Sequence, residues 1–235
     1  MALIPLHDRN PRVNIKYHYV TVGLIAGNLV VFLYQLGLPE ALLHQVILGL
    51  GMVPGLLFGT ETLPAHFPQV SPVMTLITYQ FLHGGWGHLV FNMLYLWVFG
   101  DNVEDAMGHW RFLVFYLVCG VIAALTHAAV DMANLSPVVG ASGSISGVLG
   151  AYIILHPKVR VLTLVFGFIP LRLPALLVLG VFFAQNLLFA VTGGGSAGNV
   201  AIWAHIGGFL AGMALIAGFR YSHVKLWHKP PRPWG

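Results

Sequence analysis

Apolar residues in this chain fall into long runs separated by short polar stretches. A helix that crosses about 30 Å of hydrocarbon needs roughly 20 predominantly apolar residues. Five runs meet or approach that length, at about Thr21–Leu38, Gly87–Val103, Phe112–Val130, Leu173–Val191 and Ile202–Phe219, and a shorter one covers Ser142–Leu155. The pattern predicts an all-α, polytopic membrane protein with six transmembrane helices and a short central fourth helix. Leu42–Phe58 is apolar as well, but His44, Gln45 and Pro54 interrupt it.

Charge decides between six spans and seven. Arg9, Arg12 and Lys16 precede the first run, and Arg220, Lys225, Lys229 and Arg232 follow the last. Under the positive-inside rule both termini are then cytoplasmic, which requires an even number of spans. With six, Arg111, Lys158, Arg160 and Arg172 also fall on the cytoplasmic side, so all 11 Lys and Arg share it. The expected organisation is a cytoplasmic segment 1–19, a six-helix core 20–220 and a basic, Pro-rich cytoplasmic tail 221–235. The stretch Pro39–Leu82, apolar and without Lys or Arg, is expected to lie at the outer interface as short amphipathic pieces. Gly193–Asn199 reads as a flexible external loop, and Lys229–Pro233 as disordered.

Composition agrees: 57% of residues are hydrophobic and 8% charged, against about 25% charged in a soluble domain. The net charge of +4 forms no basic patch, so a nucleic-acid partner is not expected. The single cysteine, Cys119, permits no intrachain disulfide and no CxxC site. No short apolar stretch with a small-residue cleavage site opens the chain, so the first span is expected to direct its own insertion.

Against this background the stretch Gly140-Ala141-Ser142-Gly143-Ser144-Ile145-Ser146-Gly147 places hydroxyls where lipid-facing side chains would be expected. From Ser142 to Leu155 a helix is only about 21 Å long, so its first residue lies about 9 Å inside the outer surface. A helix starting within the membrane needs its first N–H groups satisfied by protein or by water in a cavity. If the last span enters near Asn199, His205 lies at about the same depth. His88 and Asn92, one turn apart, share a face of the second span near the same level. Ionisable and polar groups inside a membrane are costly and usually functional. Ser142, Ser146 and Gly150 share a face, as do Gly143 and Gly147, and His205 shares one with Gly208 and Gly212. Small residues at that spacing allow close helix approach.

These residues suit acyl transfer to water. A serine hydroxyl needs a base, and neutral histidine is the usual one. Ser142 and His205 form the candidate dyad. The helix N-terminus at Ser142, with His88 and Asn92, would stabilise an oxyanion. No Asp or Glu stands at this level, so His205 is expected to be oriented by packing or by another hydrogen bond. The segment is not the GxSxG elbow of soluble hydrolases, because position 144 is Ser. Twelve histidines raise the question of a metal, but there is no HExxH or Cys/His cluster, and neither metal nor cofactor is expected.

Gly140-Ala141-Ser142-Gly143 matches GxSG, Ala204-His205-Ile206-Gly207-Gly208 matches AHxGG, and His83, His88 and Asn92 match HxxxxHxxxN. In this combination the chain resembles the rhomboid family of intramembrane serine proteases, over about residues 20–220. Gly100…Glu104…Gly108 ahead of Arg111 resembles the family's turn between its second and third helices. The resemblance implies a rhomboid-like bundle with Ser142 as nucleophile, His205 as general base, and His88 and Asn92 as oxyanion contributors. It also implies membrane-anchored protein substrates cut in or near a transmembrane segment. Some members carry Tyr four residues after the nucleophile; Ser146 stands there in this chain, so His205 must be held differently.

Blander roles are expected for the other polar residues. Ser144 and Ser146 are read as packing residues, His83 as orienting its loop and His127 as interfacial. Gln185 and Asn186 are read as interhelical hydrogen-bonding residues, and Glu104 and Arg111 as a cytoplasmic structural pair or solvated charges. The fifth span and the loop Gly193–Asn199 are the candidate gate. Compact size and a bare core point to a bacterial plasma membrane, with an organelle as the lesser alternative, and the site is expected to open outward. The competing readings are a noncatalytic rhomboid-like binding or quality-control factor and a transporter or channel. The first predicts a missing Ser or His, and the second a charged path through the bundle.

Overall fold

The run Ser142–Leu155 forms a 14-residue helix in which every residue but Ser142 and Ile154 is buried. A helix apolar all round belongs among other helices, and the rest of the chain supplies them. The structure, a computed structural model, describes residues 3–64, 67, 70–192 and 201–227. In chain order the elements are β1 Leu3–Asp8, α1 Tyr19–Leu36, α2 Glu40–Leu50, α3 Pro54–Leu57 and α4 Pro72–Thr78. A 3-10 turn at Tyr79–Phe81 leads to α5 Trp86–Met107, α6 His109–Ala128 and α7 Ser142–Leu155. Then come β2 Arg160–Val165, β3 Ile169–Pro174, α8 Ala175–Thr192 and α9 Ile202–Phe219.

The six expected spans correspond to α1, α5, α6, α7, α8 and α9. Helices α1, α6, α8 and α9 are each long and apolar enough to cross a membrane, and the molecule is an integral membrane protein. Helix α5 is longer, at 22 residues, but ends in Asp101, Glu104 and Asp105. Helix α7 packs against α5, α6, α8 and α9, and its Val148, Leu149 and Tyr152 join Phe99, Phe115, Cys119 and Phe209 in the main core. Between α1 and α5 the chain makes the short helices α2 to α4, as expected for that segment, and Leu42–Phe58 does not span. Met52 pairs with Val138, tying this segment to the connection between α6 and α7. The Gly193–Asn199 loop and the Pro-rich tail lie outside the described residues.

The end of the bundle that carries the cations is tightly organised. Glu104 is fully buried. Its carboxylate accepts the N–H groups of Val20 and Thr21 at 3.1 and 2.8 Å and the Thr21 hydroxyl at 2.7 Å. It thereby caps α1, which has no side-chain cap of its own, and places negative charge at the positive end of that helix. Glu104 also pairs with His109, whereas Arg111 lies over the Tyr221 ring, 5.5 Å from its centre. The expected Glu104/Arg111 pair is therefore not formed, and neither side chain is simply a solvated charge. Asp105 accepts the N–H groups of Val13, Asn14 and Ile15 at 2.6–3.1 Å. Between α5 and α6 the chain turns at Gly108, φ +81°, where a Cβ would also collide with the Tyr221 hydroxyl.

A three-stranded antiparallel sheet, absent from the sequence expectation, is added at this end. Its order is β1-β2-β3, with Leu3 opposite Val165 and Val165 opposite Ile169. The N-terminal segment is thus partly built into the fold, and α8 starts two residues later than the fifth run because Leu173 and Pro174 belong to β3. Strand β1 lies between α5 and α8. The Tyr95 hydroxyl donates to the Leu3 carbonyl at 2.9 Å. Leu3 and Ile4 close a cavity of about 210 Å³ with Phe91, Tyr95, Val178 and Phe182.

Asp8, at the other end of β1, is buried and accepts hydrogen bonds from the Tyr152 hydroxyl at 2.5 Å and Asn102 Nδ2 at 3.0 Å. Burial raises its pKa from 3.8 to about 7, and neighbouring Asp101 adds to the shift while the Tyr152 bond opposes it. Between these values the unfolded chain has released the proton that the folded protein still holds. Stability therefore falls as pH rises through that window, by roughly 1.4 kcal/mol per unit. Asp8→Asn removes this slope. Thermal midpoints in detergent from pH 5 to 8 should diverge, with the variant gaining on the wild type toward high pH. Parallel curves would refute the assignment.

Candidate functional site

Helices α7 and α9 cross with their backbones in contact. A Cβ on Gly208 would fall on the carbonyl of Gly143, one on Gly212 on that of Gly147, and one on Gly150 on that of Phe209. The small-residue faces expected from the sequence are therefore the faces that meet. At the end where both helices begin, this approach brings together the two residues singled out for chemistry. Ser142 is the first residue of α7, and its Oγ lies 2.8 Å from His205 Nε2, in the first turn of α9.

The other ring nitrogen of His205 is also engaged. Nδ1 lies 2.9 Å from Asn186 Oδ1 on α8, and the Asn186 amide nitrogen donates to the Phe182 carbonyl one turn earlier at 2.8 Å. The Phe182 ring lies 6.1 Å from the imidazole, tilted by 37°. Helix α8 thus supplies a hydrogen bond to the histidine, one of the two means of orientation expected from the sequence. Asn186 was expected to bond between helices; its partner had no local signal, because 19 positions separate the two residues.

The residues of α5 lie on the opposite side. Asn92 is buried, and its Nδ2 lies 3.1 Å from His83 Nε2. His83 is held by α1, since Gln35 bonds both its backbone N–H and its carbonyl, at 3.0 and 3.2 Å. Burial, with His88 nearby, pushes the His83 pKa down to about 4, so its neutral ring can accept from Asn92 at physiological pH. His83 thus orients Asn92, while Gln35 holds the His83 loop. The His88 and His83 rings lie 5.1 Å apart. Gly140 adopts φ +123°, and a Cβ there would come within 2.6 Å of the His88 ring and 3.7 Å of Asn92 Nδ2. His88 and Asn92 therefore flank the backbone that leads into Ser142.

Ser142, His205, His88 and Asn92 all line one open cavity of about 1190 Å³, shared with His127 and Ser146. His127, expected at the interface, lines this cavity. Ser144 is fully buried and donates to Gln80 Oε1 at 2.8 Å, a packing role as expected. The first N–H groups of α7 have no carbonyl one turn earlier to bond within the helix, and they begin at the residue that contacts His205. The arrangement offers a hydroxyl, an imidazole against it, and N–H donors around the hydroxyl's helix end.

Comparisons with known proteins identify the family. The Rhomboid domain family model matches residues 71–222. Presenilin-associated rhomboid-like protein A, mitochondrial, from Danio rerio is 32% identical over 164 residues, 66% of this chain and 39% of that protein. Rhomboid protease GluP from Bacillus subtilis is 39% identical over 98 residues, 39% of this chain and 19% of that protein. Rhomboid protein 1, mitochondrial, from Saccharomyces cerevisiae is 33% identical over 101 residues, 41% of this chain and 29% of that protein. The chain spans about two fifths or less of the length of these three relatives. With a match that runs from just before α4 to just past α9, over more than half of its length, this chain belongs to the rhomboid family.

Proposed function

We propose that this protein is an intramembrane serine endopeptidase that hydrolyses peptide bonds in or near transmembrane segments of membrane-anchored proteins. The observation that carries the reading is the 2.8 Å contact of Ser142 Oγ with His205 Nε2 at the start of two backbone-packed helices. In the reaction, Ser142 Oγ attacks the scissile carbonyl as His205 Nε2 takes its proton. The oxyanion is met by N–H groups at the start of α7, by Asn92 and by His88. His205 then returns the proton to the leaving amine, and the acyl-enzyme is hydrolysed by water with His205 again as base. No cofactor or metal enters these steps, and the partners are the lipid bilayer and membrane protein substrates with a transmembrane segment, not nucleic acid.

The core 20–220 is the unit assigned to this chemistry, with 221–235 as a cytoplasmic extension and 1–19 as a cytoplasmic segment except for β1, whose Leu3 end reaches Tyr95 of α5. The described cations gather at the end away from Ser142, which supports both termini being cytoplasmic and the cavity opening outward. The relatives named above include mitochondrial proteins as well as the Bacillus protease, which fits an organelle membrane as well as a bacterial plasma membrane.

A fluorophosphonate probe tests the reading most directly. It should label Ser142 in detergent-solubilised protein, identified by peptide mapping, and block cleavage of a single-span substrate in proportion to labelling. Cleavage that persists with Ser142 fully labelled would end the proposal. The alternative, a noncatalytic rhomboid-like binding or quality-control factor, predicts no labelling and no cleavage.

A further inference from the structure

Nothing in the α7–α9 pair explains which nitrogen of His205 carries its proton, yet the proposed reaction depends on it. A base that accepts from Ser142 must present a lone pair at Nε2 and hold its hydrogen on Nδ1. The group facing Nδ1 is Asn186 Oδ1, at 2.9 Å. The orientation of that amide is fixed by chemistry rather than by choice: its other end faces the Phe182 carbonyl at 2.8 Å, which can only accept, so the NH₂ lies there and the oxygen faces the histidine. Asn186 is buried, although α8 is the least enclosed of the four helices that are long and apolar enough to cross a membrane. An oxygen that can only accept makes Nδ1 the donor.

We infer that Asn186 is the positioning residue of the site: it locks His205 in the Nδ1–H tautomer, with Nε2 free to take the Ser142 proton. The inference rests on the protease reading for its consequence, but the tautomer itself is a property of the resting protein. A neutral amide suits the surroundings of the imidazole. Among the described residues, the titratable groups whose charge acts on it are His88 from α5 and His127 from α6, neither of them a carboxylate. An amide therefore fixes the tautomer without adding a charge that would hold the ring as imidazolium. Phe182, one turn before Asn186, packs on the same ring, which takes the place of an aromatic at position 146. Both contacts come from α8, so the base is set only while α8 lies against α9. Displacement of that helix would release the ring at the same moment that it opened the cavity.

Nitrogen-15 NMR of histidine-labelled protein reads the tautomer directly, with His205→Gln identifying the signal. The wild type should show a protonated Nδ1 and an unprotonated Nε2, and Asn186→Leu should lose that bias. In proteoliposomes Asn186→Leu should lower kcat by about 10²-fold with KM changed less than twofold. Asn186→Asp should restore most of the rate and move the acidic limb of the kcat profile to higher pH by about one unit, because a carboxylate at Nδ1 favours imidazolium. An Nε2–H signal in the wild type overturns the inference, as does a Leu variant with kcat within twofold of wild type. If the Leu variant does not fold, the Asp variant decides, and an unmoved acidic limb overturns it. A wild type that neither labels with fluorophosphonate nor cleaves would instead overturn the protease reading and leave the tautomer measurement standing.

Discussion

Ser142→Ala and His205→Ala will each reduce cleavage of a single-span substrate in proteoliposomes to background, a fall of at least about 10⁴-fold. Each change removes one half of the 2.8 Å contact. Without Oγ there is no atom to form the acyl-enzyme, and without the imidazole the hydroxyl stays protonated and weakly nucleophilic. The effects should not add, because the pair acts as a unit; the double variant should be no worse than either single one. Both side chains are only partly buried, beside an open cavity, so the thermal midpoint should move little. Substantial cleavage by either well-folded variant would remove the dyad from the mechanism.

The second large effect is expected far from any reacting atom. Gly212 lies seven residues, about 10 Å, along α9 from His205. A methyl group there would occupy the position of the Gly147 carbonyl oxygen, and a carbonyl locked into a helix cannot rotate away. Gly212→Ala must therefore separate α7 from α9. Overpacking of this kind costs about 1–3 kcal/mol, sometimes more. Its kinetic cost is larger, since a displacement near 1 Å between nucleophile and base can lower the rate about 10²-fold. We expect a lowered thermal midpoint together with a kcat reduced by about that factor. Gly180→Ala is the control: nothing lies within 4 Å of a Cβ there, so neither quantity should change. A Gly212→Ala protein with wild-type kcat would show that the helix contact does not set the dyad.

What could be read from the sequence follows the range of the forces involved. The helices of the bundle were legible because lipid imposes length and apolarity on each span separately. The approach of α7 to α9 was legible because Gly143, Gly147, Gly208 and Gly212 repeat at one helical turn. Ser142 and His205 stood out as polar groups at one depth, and their contact follows from that depth and those glycines. Asn186 was visible as a polar residue in an apolar helix, but its partner depends on how α8 is rotated, which no local pattern encodes. The caps at Glu104 and Asp105 were missed because the carboxylates act across more than 80 positions, on backbone groups that carry no side-chain signature. The sheet was missed for two reasons. Its turn is Phe166-Gly167, with both residues at positive φ, 55° and 84°, where Asn-Gly would have been the recognisable signal. Its first strand pairs with residues more than 150 positions away.

On the protease reading, strand β1, which contacts both α5 and α8, would limit the depth of any entry between those two helices. Leu3 meets α5 at Tyr95, two turns or about 10 Å beyond His88, while a spanning helix needs about 30 Å. A substrate helix entering along this gap would run into the strand with most of its length still in lipid. It would have to halt, bend or unwind at a fixed distance below the nucleophile. The strand would then act as a depth stop: the bond that is cut would be set by how far a segment can descend before it touches Leu3, as well as by the residues on either side of that bond.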